Sequence, residues 1–298
     1  MEYETNGGNQ VNAREFFKIT KIEITFLVDM VAIAAFLSDP NFSMHSFEII
    51  PLLVSGTLAS MSAAVFNNLY DMDIDRAMKR TSYRERIINS RTFGRISVYA
   101  GIMLAASVLV SYLFINLLTS VFIFLGFLSY VVLYTIVLKR RTTWNIVIGG
   151  IAGSFPALAG WSAVSNDIST TSLFIAFLVF LWTPTHFWSL ATNNSDDYKE
   201  AGIPMLPAVV GARKAGWWIL INSIILVVYS AIPLFVSSIN VGFAYYLVAI
   251  AMGAIMLYYV IKPMTEQYSK PGFRRAFHIS NYYLLTLLVS ICLVGIIH

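Results

Sequence analysis

Nine stretches of this chain are each apolar enough, and long enough, to cross a membrane as a helix. They lie near 20–38, 47–68, 95–115, 119–138, 144–163, 171–192, 215–237, 241–261 and 278–297. About 20 mostly apolar residues suffice to cross the hydrocarbon core. The runs lack the alternating polarity of membrane-barrel strands. Their number leaves no room for a separate soluble domain. Residues 20–298 therefore read as one all-α, polytopic membrane helix bundle, preceded by a polar segment, 1–19. That segment lacks the apolar stretch of a cleaved signal and is too short and too acidic for an organelle transit peptide. Composition agrees: 57% of residues are hydrophobic and 12% charged, about half the charge of a soluble domain. The single cysteine, Cys292, excludes a disulfide framework and a thiolate metal site. A net charge of +4 is too small to argue for nucleic acid.

The positive charges set the orientation. All 20 Lys and Arg fall before or at the start of the first span, or around the junctions 2–3, 4–5, 6–7 and 8–9. By the positive-inside rule the N-terminus is cytoplasmic. Nine transmembrane helices then put the C-terminus outside and gather the polar chemistry on the cytoplasmic face. Small residues every fourth position, Gly56, Ser60 and Ala64, then Gly149, Gly153 and Ala157, predict close helix contacts. Pro156 and Pro184 are expected to interrupt the fifth and sixth spans.

The most informative segment is Asn67-Asn68-Leu69-Tyr70-Asp71-Met72-Asp73-Ile74-Asp75. Asn67, Asp71 and Asp75 stack along one helix face, with Asn68 on the same side. Like carboxylates one turn apart repel, and a divalent cation removes that cost. An all-oxygen ligand set favours Mg2+ over zinc. Mg2+ is usually held by one or two carboxylates plus phosphates and water, so the ladder predicts a phosphate-bearing substrate. Lys79 continues the face, and Arg76, Arg80 and Arg84 form the next stripe if the helix persists. After the sixth span, Asn193, Asp196 and Asp197 form a second acidic point. Each cluster can hold its own Mg2+, both bridged by one diphosphate.

These residues resemble the first motif of the UbiA superfamily of intramembrane prenyltransferases. Within it, three blocks resemble the protoheme IX farnesyltransferase, or heme O synthase, family. The first runs from Asn67 through Asp71, Asp75, Arg76 and Arg80 to Arg84. The second runs from Tyr134-Thr135 through Lys139-Arg140-Arg141 to Gly149-Gly150, Pro156 and Gly160-Trp161. The third is His186-Phe187-Trp188, then Asp197-Tyr198 and Gly202-Ile203-Pro204. The chain departs from the family where Lys-Pro-Arg-Ile is usual, reading Lys21-Ile22-Glu23-Ile24. It departs again where Asn193-Asn194-Ser195 lacks the usual Lys or Arg.

The resemblance implies farnesyl transfer from farnesyl diphosphate to a vinyl group of heme b, with water addition, giving heme O. Heme b is then a substrate, and two Mg2+ ions serve as cofactors. Asn67, Asp71, Asp75 and Asp197 become metal ligands, with Asn68 and Asp196 as adjuncts. Lys79, Arg80, Arg84 and Lys139 hold the diphosphate, and Arg140 and Arg141 bind either the diphosphate or the heme propionates. His186 ligates heme iron or shuttles a proton, making Asp71, Asp75 and His186 the catalytic set. Membrane lipid, a heme A synthase and terminal oxidase assembly factors are the implied partners. The implied location is a prokaryotic plasma membrane, with the site facing the cytoplasm. Alternatives are prenyl transfer to an aromatic or lipid acceptor and, more distantly, a cation-coupled transporter, whose sites tend to lie at the membrane midplane. Asp29 stands inside the first span, where an ionisable group is costly and functional by default. It either lines the cavity or pairs with a polar group of the seventh span such as Asn222.

Overall fold

A computed structural model describes residues 13–78, 80–239 and 241–297; Lys79 lies outside the described residues. Among these, all regular structure is helical. The major helices are α1 (Ile22–Leu37), α2 (Ile49–Tyr70), α3 (Phe93–Phe114), α4 (Leu117–Leu138), α5 (Asn145–Ser165), α6 (Thr170–Asn193), α7 (Leu206–Ser230), α8 (Gly242–Thr265) and α9 (Lys270–Ile297). Eight helices among the described residues, from α2 onward, are long and apolar enough to cross a membrane. The protein is thus a multi-pass membrane protein. The expected first span is the 16-residue α1, about 24 Å long at 1.5 Å per residue and shorter than a full crossing requires.

The helices form a closed ring. Each packs on its chain neighbours, and α9 returns to α1. Contacts also cross the ring, most extensively α1 on α5 and α6 on α9. The small residues do what their spacing predicts. A Cβ on Gly149 would meet the Tyr134 ring at 2.6 Å, and one on Gly160 would lie 2.1 Å from the Ala32 carbonyl oxygen. The backbones of α1 and α5 therefore touch without intervening side chains, which maximises dispersion contact where lipid supplies no hydrophobic drive between helices.

The prolines behave differently from each other. Pro156 sits in the first turn of a new helix, Phe155–Ser165, after a 3-10 turn at Gly150–Gly153. That position has no N–H to lose. By contrast, α6 runs through Pro184 without ending. Helices α7 and α9 begin earlier than their apolar runs. Their early turns carry Arg213 and Lys214, which follow a break at Gly211 (φ 81°, ψ 161°), or Lys270, Arg274 and Arg275, whose long stems keep the charge in water while the helix extends beneath.

Replacing Gly160 with Ala is expected to push α1 off α5 and to cost about 1–3 kcal/mol or more. Gly101, with nothing within 4 Å of its Cβ position, should accept Ala with unchanged or raised stability. Thermal unfolding of the two variants in one detergent checks the contrast.

Candidate active site

The acidic ladder survives a break in its helix. α2 ends at Tyr70, and Asp71 leaves helical geometry at φ −93°, ψ 14°. A short helix, Met72–Ala77, then resumes. The hydrogen bonds carry across the break: Asp71 N donates to Asn67 O at 3.0 Å, and Asp75 N to Asp71 O at 2.8 Å. Asn67, Asp71 and Asp75 therefore stay stacked, and all three are buried.

Buried carboxylates need partners, and each has found a cation from beyond its own helix. Asp71 accepts from Asn67 Nδ2 at 2.8 Å and pairs with the Lys139 ammonium, with Arg140 at 3.7 Å. Asp75 receives Arg84 Nη1 on both oxygens at 3.0 Å. The expected stripe of Arg76, Arg80 and Arg84 does not form. Met78 is extended after Ala77, and a new short helix, Arg84–Ile87, aims Arg84 back at Asp75. Arg76 instead pairs with Glu85 at 3.0 Å. Burial opposes the Arg84 charge, but Asp75 outweighs it and holds the guanidinium above its ordinary value. Arg140 clasps the exposed Asp73 with two bonds of 2.7 Å, holding that carboxyl below the usual range.

Lys139 and its neighbours arrive on an unusual element. Residues Ser129–Leu138 form a π-helix. Lys139 N bonds Tyr134 O, and Thr135 Oγ1 bonds Tyr130 O at 2.8 Å. The wide turn leaves Thr135 to accept from Asn67 Nδ2 at 3.1 Å. Tyr130 stands within 3.4 Å of the Lys21 ammonium, which donates to Asn67 Oδ1 at 2.6 Å. Lys21, Tyr130 and Thr135 are site residues that sequence reasoning missed. Only Lys21 carried a signal, as a cation at the start of an apolar run. The usual Arg position, here Glu23, is exposed.

The second acidic point reaches the same end of the bundle. Ile74 and Met78 of the first loop share a buried cluster with Tyr198 and Ile203 of the second. Tyr198, its phenol pushed up by burial, bonds Arg80. Asp197, half-buried, precedes it. The structure turns Asp196 outward onto Lys270 at 2.5 Å, a pair that lowers the Asp196 carboxyl. Asn68, expected as a metal adjunct, uses its amide nitrogen to hold the Ile19 carbonyl at 2.7 Å. Arg141 is exposed. His186 is stacked between Trp182 and Phe277, at 4.2 and 4.4 Å, with Nδ1 3.2 Å from Ser280 Oγ. Its contacts come from α6 and α9, not from the ladder. Asp29 accepts from Thr57 Oγ1 at 2.8 Å. Asn222 is already engaged, donating to Leu181 O at 2.7 Å and to Thr185 Oγ1 at 2.8 Å.

Two buried acceptors, Asp71 Oδ1 and Asn68 Oδ1, have no hydrogen-bond partner. Orphaned oxygens on adjacent turns fit a hard cation. Among the described residues no three His, Cys, Asp or Glu side chains gather to hold a metal by themselves. A site of two carboxylates completed by amide oxygens, phosphate and water matches Mg2+ held on its substrate.

The comparisons with known proteins follow this geometry. The model of the UbiA prenyltransferase family matches residues 27–282. The chain belongs to that family and is a membrane prenyltransferase. It is 56% identical to protoheme IX farnesyltransferase 2 of Picrophilus torridus over 280 residues, 94% of this chain and 97% of the relative. To protoheme IX farnesyltransferase 1 of Cenarchaeum symbiosum it is 35% identical, over 97% and 98% of the two chains. Its fold is similar to that of a UbiA homologue from Archaeoglobus fulgidus bound to DMAPP and Mg2+, with a TM-score of 0.65, 15% identity and coverage of 92% and 99%.

Arg84→Met leaves Asp75 buried without its cation and is expected to cost about 3–5 kcal/mol in metal-free protein. Asp75→Asn added to it should recover a large part of that loss. Denaturation of the two variants in EDTA measures the difference.

Proposed function

We propose that this chain transfers a farnesyl group from farnesyl diphosphate to a vinyl group of heme b, adding water to give heme O. The observation that carries the reading is the convergence of Lys139, Arg84 and Lys21 on the buried Asn67, Asp71 and Asp75. The 56% identity to a protoheme IX farnesyltransferase supports heme as the acceptor. The A. fulgidus homologue, bound to DMAPP and Mg2+, supports metal-assisted ionisation.

Asp71 and Asp75, with Asn67 and Asn68 and with Asp197 from the second loop, are the residues that would hold two Mg2+ ions. The metal neutralises the leaving diphosphate and so favours rupture of the allylic carbon–oxygen bond. Lys139 and Arg84 each hold a carboxylate and exchange it for phosphate oxygens when the diphosphate enters. Arg80 and Arg140 stand at the rim of the same cluster, and Lys79 joins them by its place in the chain. The electron pair of the broken bond leaves with the diphosphate. The vinyl carbon attacks the allyl cation, and water captures the charge passed to the acceptor. Donors fixed before the reaction stabilise the developing charge without reorganisation. His186 faces the acceptor, as iron ligand or proton carrier, and Arg141 meets a propionate. Asp196, paired with Lys270, supports the second loop.

We further infer that α1 makes a ninth crossing, with the N-terminus and the site cytoplasmic, since the Lys and Arg residues gather on that side. The organisms of the relatives support a prokaryotic plasma membrane, and residue 20 onward acts as one domain. Heme O would pass to a heme A synthase or to terminal oxidase assembly.

The test supplies purified protein in lipid with heme b, farnesyl diphosphate and Mg2+, followed by mass analysis of the extracted heme. The expected product is heme carrying one farnesyl and one water, formed with Mg2+ and lost in EDTA. Asp71→Ala and Asp75→Ala should each lower the rate at least about a hundredfold while the protein stays folded. Diphosphate release onto a different acceptor, with unmodified heme, would move the assignment to another prenyl transfer.

A further inference from the structure

The diphosphate end and the interior of the membrane are joined by a polar ladder between α1 and α2. Its first rung is Lys21 Nζ to Asn67 Oδ1, 2.6 Å. The second pairs the hydroxyls of Thr25 and Ser60 at 3.0 Å. The third is Thr57 Oγ1 to Asp29 Oδ2, 2.8 Å. The rungs recur at 21, the residue that caps α1, and at 25 and 29 on one face of it. On α2 they descend from 67 through 60 to 57, as antiparallel helices require. Asp29 lies eight residues past Lys21, about 12 Å along the axis.

Around the third rung α2 gives space. A Cβ on Gly56 would stand 3.3 Å from Asp29 Oδ1, so the absence of a side chain lets the carboxyl seat against the helix. Gly56 is eleven residues before Asn67, close to three full turns, and so lies on the same face of α2. At the other end the backbone is pinned from both sides. Lys21 sits in the left-handed region at φ 54°, ψ 52°, a conformation that a residue other than glycine keeps only when its surroundings fix it. Asn68 Nδ2 holds the Ile19 carbonyl two residues earlier.

We propose that Asp29, acting through Thr57, is a positioning residue for Lys21, fixing the height at which the Lys21 ammonium meets the prenyl diphosphate. This rests on the functional reading above. A lysine ammonium has three donors, and Asn67 and Tyr130 account for two, leaving one for a phosphate oxygen. The height of that donor depends on the register of α1 against α2. Sliding α1 by one turn would strip all three rungs of partners at once in a medium with no water to replace them. Thr25 and Ser60 are short neutral side chains. The carboxylate at the far end makes the rung that costs most to leave unmade, so it fixes the register.

The experiment measures kcat and KM for farnesyl diphosphate, with the thermal midpoint, in Asp29→Leu, Asp29→Asn and Thr57→Val, each also combined with Lys21→Gln. Asp29→Leu and Thr57→Val are expected to raise KM about tenfold with kcat nearly held, the signature of lost binding and not of lost chemistry. Asp29→Asn keeps an acceptor for Thr57 and should stay within about twofold of the parent. With Gln at position 21, neither substitution should raise KM further, because the ladder acts through the lysine. Thr57→Val removes one hydroxyl and supplies the answer should Asp29→Leu fail to fold. An unchanged KM in Thr57→Val, or effects that add to those of Lys21→Gln, would overturn the proposal. A wild-type enzyme that turns over farnesyl diphosphate while the variants match it sinks only this proposal. A wild-type enzyme that neither binds nor uses the diphosphate removes the functional reading and this proposal with it.

Discussion

Taking two carboxylates out of water at the end of an apolar bundle is the constraint on which the rest of the site depends. The effective penalty is several kcal/mol for each ion, and Asp71 and Asp75 are almost wholly buried. Neither can be afforded by local structure alone. Their cations come from Lys139, 68 residues away, and from Arg84, which returns after a helix break. The π turn in α4, the break at Met78 and the short helix at Arg84 are each the conformation that delivers a cation to one carboxylate. At this end of the ring the irregular backbone meets polar partners instead of lipid.

The same pairing leaves the site poised for an anion. Lys21, Arg84, Lys139 and Arg140 face Asp71, Asp73 and Asp75, so the cations are in excess before any metal arrives. In the absence of substrate the carboxylates absorb those cations and keep the pocket from carrying unpaired charge. A divalent cation taken up by the carboxylates would free Lys139 and Arg84 for the oxygens of an anion, each exchange replacing one charge-assisted contact with another.

Much of this was legible in the sequence because it is local. The apolar runs, the i, i+4, i+8 spacing of Asn67, Asp71 and Asp75, and the close approach at Gly149 depend on periodicity alone. What was not legible depends on contacts between segments far apart in the chain. No pattern in Ser129–Leu138 distinguishes a π turn from an α-helix, so Thr135 and Tyr130 could not be found. The expected stripe of arginines assumed one continuous helix, whereas tertiary pairing with Asp75 ended it at Ala77. Asp29 was recognisable as costly, but its partner proved to be Thr57 on the adjacent α2 and not Asn222, whose amide α6 already satisfies.

Helix α1 links the acidic ladder to the aromatic surroundings of His186. Asn67 and Lys139 stand at the ends of α2 and α4, whereas His186 is held by α6 and α9. Helix α1 packs on α2, on α5 and on α9, so it is the element that both halves share. It is also the shortest of the nine among the described residues, and it carries a carboxyl where lipid-facing helices carry none. A short helix gains little from burying apolar surface in a membrane, since lipid offers the same environment. Its position must then be fixed by backbone contact and by hydrogen bonds, and both are present: Ala32 against Gly160 on one side, Thr25 and Asp29 against Ser60 and Thr57 on the other. A polar residue deep in the first helix is therefore the expected consequence of asking so short an element to hold a lysine against the acidic ladder.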